Sequence, residues 1–215
     1  MIEKINFKHS LIFFNLTIIL SAFEYLRDNN LFVLSLLLIL SIGVTHGSFD
    51  HIKGKKLLRL FKIKKYPIFF IGYISISILT IFIWLVFPKF LLFIFLVVAS
   101  YHFGKEDSEF LKTKKIKFNE IILFFKGIII IVAPLIFHKT QTIKIFETLN
   151  FNISNTFIIS DIFLYCLLFI SFLANLFLCL KQSYDNRSIL LMDFFSVIIL
   201  NIFINPLLAF TIYFC

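Results

Sequence analysis

The sequence is poor in charged side chains, and this scarcity decides its class. Only 15% of the 215 residues are charged, whereas 60% are hydrophobic and 32 are Phe. A soluble domain of this length needs far more polar surface. Several apolar runs approach the roughly 20 residues that a helix needs to cross a bilayer. We therefore predict an all-α, polytopic membrane protein that forms a single transmembrane helical domain over residues 1–215.

Cysteine is also scarce, and the three present form no disulfide framework. Cys166 and Cys179 lie 13 residues apart in one apolar run. On a helix that separation is about 20 Å, which is too far for a disulfide. The sequence also lacks a Walker loop, Rossmann glycines, a CxxC pair and a nucleophile elbow. None of these standard signatures therefore indicates a function.

The basic residues are distributed unevenly, and their pattern predicts the topology. A net charge of +9 would suggest nucleic acid as the partner of a soluble protein. Here Lys and Arg cluster in short connections, which is the orientation signal of membrane proteins, so we exclude nucleic acid. With the N-terminus inside, sixteen of the 21 Lys and Arg residues lie on the inner side and four on the outer side, with Lys126 left inside a helix. This split predicts a multi-pass protein of the inner cell membrane with a cytoplasmic N-terminus.

The apolar runs predict about seven transmembrane helices and the start of an eighth. The polar connection 138–155 is expected to include a short surface helix. The predicted helices cover residues 11–26, 31–51, 67–87, 90–104, 121–137, 156–180, 188–204 and 207 onwards.

A polar cluster ends the second of these apolar runs. It contains His46, Asp50 and His51, with glycines at positions 43 and 47. His46 and Asp50 are four residues apart, so on a continuous helix they lie about 40° apart on one face. Asp50 can then orient or polarise the His46 imidazole, as carboxylates do for metal-binding histidines.

A second polar cluster ends the fourth apolar run, and the predicted topology places it at the same membrane depth. His102 is followed four residues later by Glu106 and then by Asp107, and either carboxylate can fold back if Gly104 frays the helix end. Ionisable groups inside a membrane are costly and usually functional, so the two clusters predict a metal site or a proton relay. Imidazole ligands suit Fe, Zn, Cu or Ni alike. The alternative is that each His is interfacial and each Asp pairs with nearby lysines.

Other polar residues are given minor roles by the sequence. We expect His9 to precede the first helix and to be solvated. His138 falls on the outer side of the predicted topology and is excluded from the site. Glu24 and Asp193 are expected to make helix-packing hydrogen bonds.

Four motifs occur in an order that resembles a known family. They resemble the bacterial and archaeal Brp/Blh family of membrane β-carotene 15,15′-dioxygenases from about residue 40 to the end. The motifs are Gly43-x-x-His46-Gly47-x-x-Asp50-His51, Tyr101-His102-Phe103-Gly104-x-x-Asp107, Pro134-Leu135-Ile136-Phe137-His138 and Pro206-Leu207-Leu208-Ala209-Phe210-Thr211-Ile212-Tyr213-Phe214-Cys215.

The resemblance implies a specific chemistry. In that family Fe(II) held by histidines cleaves the central double bond of β-carotene with O₂, giving two molecules of retinal that commonly serve a rhodopsin. His46 and His102 correspond to iron ligands, and we expect Asp50 and Asp107 to support them. The implied partners are β-carotene and O₂ as substrates, membrane lipid, and a retinal-binding rhodopsin as recipient.

The sequence departs from the family pattern at its end. The remaining ligand histidines of the family belong to a His-Ser-x-x-His-like motif shortly after the stretch matching Tyr213-Phe214-Cys215, and this sequence stops before it. We therefore expect a truncated copy, with little activity until the chain is extended through those histidines. Two alternatives stay open: an inactive fragment, and a multi-pass transporter or proton-coupled carrier using His46/Asp50 and His102/Asp107.

Overall fold

The computed structural model describes residues 2–23, 31–47, 50–63, 66–111, 120–148 and 160–214, with backbone alone at 2–4, 43–47 and 53. About 90% of these residues are helical and none of them is in a strand. The predicted all-α class is therefore confirmed. The predicted turn at 27–30 and the basic connection at 112–117 lie outside the described residues.

The helices of the described part follow the apolar runs closely. A single 3₁₀ turn, Glu109–Leu111, follows the fifth of them. In chain order the helices are α1 Ile2–Ser21, α2 Phe32–Gly47, α3 Asp50–Leu60, α4 Pro67–Val86, α5 Pro88–Glu106, α6 Glu120–Gly127, α7 Ile129–Phe137, α8 Lys139–Thr148, α9 Asp161–Leu180, α10 Tyr184–Phe203 and α11 Pro206–Phe214.

Five spans in the described chain are long and apolar enough to cross a membrane, which confirms a polytopic membrane protein. They are α4, α5, the α6–α7 pair taken together, α9 and α10. The apolar parts of α1 and α2, Ile5–Ser21 and Phe32–Ile42, are shorter. The five spans coincide with the third to seventh predicted helices, and α11 lies where the eighth was predicted to start.

Two helix boundaries differ from the prediction for physical reasons. The first helix begins at Ile2 rather than near Leu11, because it packs along α10, where Ser10 bonds Asp193 and Phe13 and Leu20 contact the core. Helical structure also continues to Leu60, past the predicted end at His51. In α3 basic residues alternate with exposed apolar ones such as Leu57, a pattern that suits a helix lying at a membrane surface.

The long helices alternate in direction, as the predicted topology requires. α1 and α10 run parallel, since Ser10 bonds Asp193 near the middle of the two helices and Leu20 packs against the cluster containing Leu200 towards their ends. α11 runs the opposite way and brings Tyr213 to Asp107, just beyond the end of α5. We call the end of the molecule where α5 and α11 finish and α1 and α10 start the His102 end.

Two glycines allow α5 and α6 to touch backbone to backbone at this end. A Cβ atom added to Gly104 would overlap the Leu123 carbonyl oxygen, and one added to Gly127 would overlap the Ser100 carbonyl oxygen. Small residues permit such close helix contacts in membranes. Gly104 therefore packs two helices together and does not fray α5, which continues to Glu106.

We expect Gly104→Ala and Gly127→Ala to destabilise the fold, whereas Gly72→Ala on α4, which has open space around it, should not. Overpacking a tight contact costs about 1–3 kcal/mol. Thermal unfolding of the purified protein in detergent measures the difference. Equal unfolding temperatures for the Gly104 and Gly72 variants would show that the close contact does not exist.

Candidate functional site

A polar cavity of about 640 Å³ opens at the His102 end. It lies between α1, the end of α5, the start of α10 and the end of α11. Its ionisable and amide lining residues include Asn6, His9, His102, Glu106, Asp107 and Asp193. The molecule thus gathers histidine and carboxylate side chains from well-separated parts of the sequence around one space.

His102 and His9 are the two described imidazoles that line this cavity. His102 lies on the last turn of α5 with 65% of its side chain exposed, and its Nε2 is 3.1 Å from Glu106 Oε2. The two residues are four apart on one helix, so the contact follows directly from helix geometry. The carboxylate that touches His102 is thus Glu106.

Asp107 has different contacts. Its Oδ2 accepts a hydrogen bond of 2.6 Å from the Tyr213 hydroxyl. The same oxygen lies 3.7 Å from the Nζ of Lys126, whose side chain is only 4% exposed. Asp107 therefore joins α5 to α6 and α11, and its support of a metal ligand stays a prediction.

Lys126 and Asp193 complete a buried cluster of charged groups. Asp193, on α10, accepts a hydrogen bond from the Ser10 hydroxyl and interacts electrostatically with both Lys126 and Asp107. The Lys126 ammonium thus attracts two carboxylates, and it lies within 4 Å of Asp107. The prediction of a helix-packing hydrogen bond for Asp193 agrees with this contact.

Lys126 and Tyr213 are site residues that the sequence analysis does not identify. The signal for Lys126 was present, because the charge count left it alone inside a predicted helix, and intramembrane charges are usually functional. Tyr213 gave no comparable signal. His9 is exposed, which agrees with the expected solvation, but it lies on α1 rather than ahead of the first helix, and it lines the cavity.

The other predicted cluster is described only in part. His46 lies on the last turn of α2, and its side chain is outside the described residues. Asp50 begins α3, and its Oδ2 accepts a hydrogen bond of 3.3 Å from the Tyr73 hydroxyl on α4. Asp50 is not among the described residues that line the polar cavity.

A second cavity, of about 250 Å³, is apolar and lies farther along the bundle. Its walls come from α5, α7, α8, α10 and α11, and the lining side chains are all uncharged. They include Phe95, Leu96, Ile130, Pro134, Val197 and Phe210. Its volume is slightly below the roughly 300–1,000 Å³ of typical ligand sites. An uncharged lining of this kind suits an apolar ligand.

The described side chains fit a metal site only in part. No group of three or more His, Cys, Asp or Glu side chains among the residues that the structure describes is placed to hold a metal ion. His102 and Glu106 nevertheless offer a nitrogen and a carboxylate oxygen on the wall of a polar cavity. They can contribute to a metal site whose other ligands come from elsewhere.

Comparison with known proteins assigns the family. No curated protein and no solved structure matches the chain. The sequence model of the β-carotene 15,15′-dioxygenase family matches residues 37–215, which include both polar clusters, both cavity-lining stretches of α5 and the whole of α11. The match supports a carotene-dioxygenase type of function with a carotenoid and oxygen as substrates. The chain belongs to the β-carotene 15,15′-dioxygenase family.

Proposed function

We propose that the protein is an iron-dependent dioxygenase that cleaves the central double bond of β-carotene with O₂ and gives two molecules of retinal. The observation that carries this proposal is that two cavities with different linings lie next to each other in a membrane protein of this family. One is apolar and suits a polyene, and the other is polar and presents His102.

The residues proposed to hold Fe(II) are His46 and His102, with Asp50 and Asp107 in support. The remaining ligands are expected from the histidine motif that the family carries beyond the stretch matching Cys215. Iron, when bound, would supply the binding and activation of O₂. The contact between Glu106 and His102 fixes the orientation of the imidazole on the cavity wall.

The chain itself binds and aligns the polyene in this proposal. A hydrocarbon dissolves in the bilayer. A binding cavity inside a membrane-spanning helix bundle can take it up without first transferring it into water. The uncharged lining of the apolar cavity offers burial without unpaired polar groups. We further propose that the His102 end faces the cytoplasm, as the distribution of Lys and Arg predicts, and that a rhodopsin can receive the retinal.

Expression in β-carotene-producing cells tests the proposal. We expect loss of the orange colour and appearance of retinal on chromatography for a chain carried through the expected histidine motif. The chain ending at Cys215 should show much less of both. Full colour and no retinal in the extended form would refute the proposed reaction, and full activity of the 215-residue chain would refute the ligand assignment.

A proton-coupled carrier is the second candidate, and one observation favours it. Lys126 is buried 3.7 Å from Asp107 and interacts electrostatically with Asp193, and intramembrane charges of this kind also occur in proton relays. The metal content of the purified, extended protein separates the two functions. One iron per chain supports the dioxygenase, whereas a metal-free protein that moves protons supports the carrier.

A further inference from the structure

Four aromatic side chains form a wall between the two cavities, which we call the aromatic partition. Ring centroids of Phe103 and Tyr213 are 5.6 Å apart, those of Phe103 and Phe210 are 6.1 Å apart, and those of Phe210 and Phe214 are 5.8 Å apart. Phe103 and Phe214 line the polar cavity, and Phe210 lines the apolar one. Tyr213 is the one described residue that lines both.

Tyr213 is held more firmly than the other members of the partition. Its hydroxyl donates to Asp107 Oδ2 at 2.6 Å, and the carboxylate is in turn held by Lys126 at 3.7 Å. A hydrogen bond to an ionised carboxylate is shorter and stronger than one between neutral groups. The ring of Tyr213 therefore has a fixed position at the boundary between the apolar and polar spaces.

We propose that Tyr213 determines where the polyene is cut, because its ring sets how far a chain held in the apolar cavity reaches into the polar cavity. This inference rests on the proposed carotenoid cleavage and deepens it. A fixed stop presents one double bond of a long conjugated chain, in which many bonds are chemically similar. Without the Tyr213 ring, the polyene can slide along the cavity, and a neighbouring double bond can take the place of the central one.

A shift of the polyene along the cavity changes the lengths of the aldehydes that cleavage produces. Each cleavage breaks one carbon–carbon double bond and places one oxygen atom of O₂ on each of the two carbons, so two aldehydes form and nothing else is consumed. A central cut of a symmetric polyene gives two identical aldehydes. A displaced cut gives one longer and one shorter aldehyde.

Product analysis of Tyr213 variants tests the proposal in the extended chain. We expect Tyr213→Ala to give unequal aldehydes beside retinal, and Tyr213→Phe to do so to a smaller extent, since it keeps the ring and loses only the hydroxyl. Tyr165→Ala, which removes a lipid-exposed tyrosine of α9, is the matched control and should give retinal alone. A uniform loss of turnover, with retinal still the sole product of Tyr213→Ala, would overturn the proposal.

A second measurement tests the partition without any catalysis. Ala209, a buried residue of the apolar cavity, is replaced by cysteine in a chain whose own cysteines at 166, 179 and 215 are changed to alanine. A small charged methanethiosulfonate reagent then reports access from the polar side. Loss of the carboxylate bond in Tyr213→Phe should raise the labelling rate at least about tenfold, because a hydrogen bond to a charged group opposes local opening. Tyr213→Ala should raise it further.

The two measurements separate failure of the inference from failure of the proposed function. If the extended chain with tyrosine at position 213 forms no retinal, the dioxygenase proposal fails and the labelling rates alone decide whether the partition exists. Equal labelling of Ala209→Cys with tyrosine, phenylalanine or alanine at position 213 would overturn it. If retinal forms and labelling changes but products do not, Tyr213 separates the cavities without selecting the bond, and the inference is likewise overturned.

Discussion

Replacing His102 with alanine should reduce β-carotene cleavage by at least about a hundredfold, because partners of metal ligands already contribute 10–100-fold and a ligand contributes more. His102 lines the polar cavity together with His9, and its substitution removes a nitrogen that no neighbouring residue on α5 replaces. The measurement is retinal formed per minute by purified, extended protein, together with its iron content.

Glu106→Gln provides the graded comparison for His102. It keeps the size of the side chain that lies 3.1 Å from the imidazole and removes its charge. We expect a smaller loss, about 10–100-fold, with iron binding weakened rather than abolished. Both variants should unfold at temperatures close to that of the wild type, since both side chains are more than half exposed. Wild-type turnover and iron content in His102→Ala would contradict the assignment of His102.

Replacing Lys126 with methionine should produce the largest loss of stability. The buried ammonium lies 3.7 Å from Asp107 and interacts electrostatically with Asp193, so its removal leaves both carboxylates without this cation. Breaking a buried ion pair by removing one partner costs about 3–5 kcal/mol. Thermal unfolding in detergent should show a correspondingly lower midpoint, and adding Asp107→Asn should restore part of it.

A second Lys–Asp pair in the same chain is a matched control. Lys139 and Asp161 are 2.5 Å apart, but their side chains are 36% and 71% exposed. Exposed ion pairs contribute only about 0–1 kcal/mol, so Lys139→Met should change the unfolding midpoint little. If Lys126→Met and Lys139→Met cost the same, Lys126 does not stabilise the buried carboxylates.

The long helices were predictable from the sequence because length and hydropathy alone determine them. α4 runs from Pro67 to Val86, within one residue of the prediction, since Pro67 favours the first turn of a helix. The start of α1 was predicted too late. Its residues Asn6, His9 and Ser10 are typical of a loop by composition, and the packing of α1 on α10, including the bond from Ser10 to Asp193, is not visible in the sequence.

The site was predictable only where it depends on local geometry. His102 and Glu106 are four residues apart on one helix, so their contact follows from the sequence. Tyr213 and Asp107 are 106 residues apart, and their hydrogen bond depends on how α11 packs against α5. The same holds for the position of Lys126, which requires the close contact between Gly104 and Gly127. No periodicity in the sequence indicates contacts between residues that lie so far apart.

The most direct test of the central claim is the yield of retinal per β-carotene consumed by the purified, extended protein under O₂. Central cleavage predicts two retinal molecules for each β-carotene and no other aldehyde, with activity lost when iron is chelated and regained when Fe(II) is added. A yield near one, accompanied by longer and shorter aldehydes, would contradict central cleavage. Unchanged turnover after complete removal of iron would contradict the proposed cofactor.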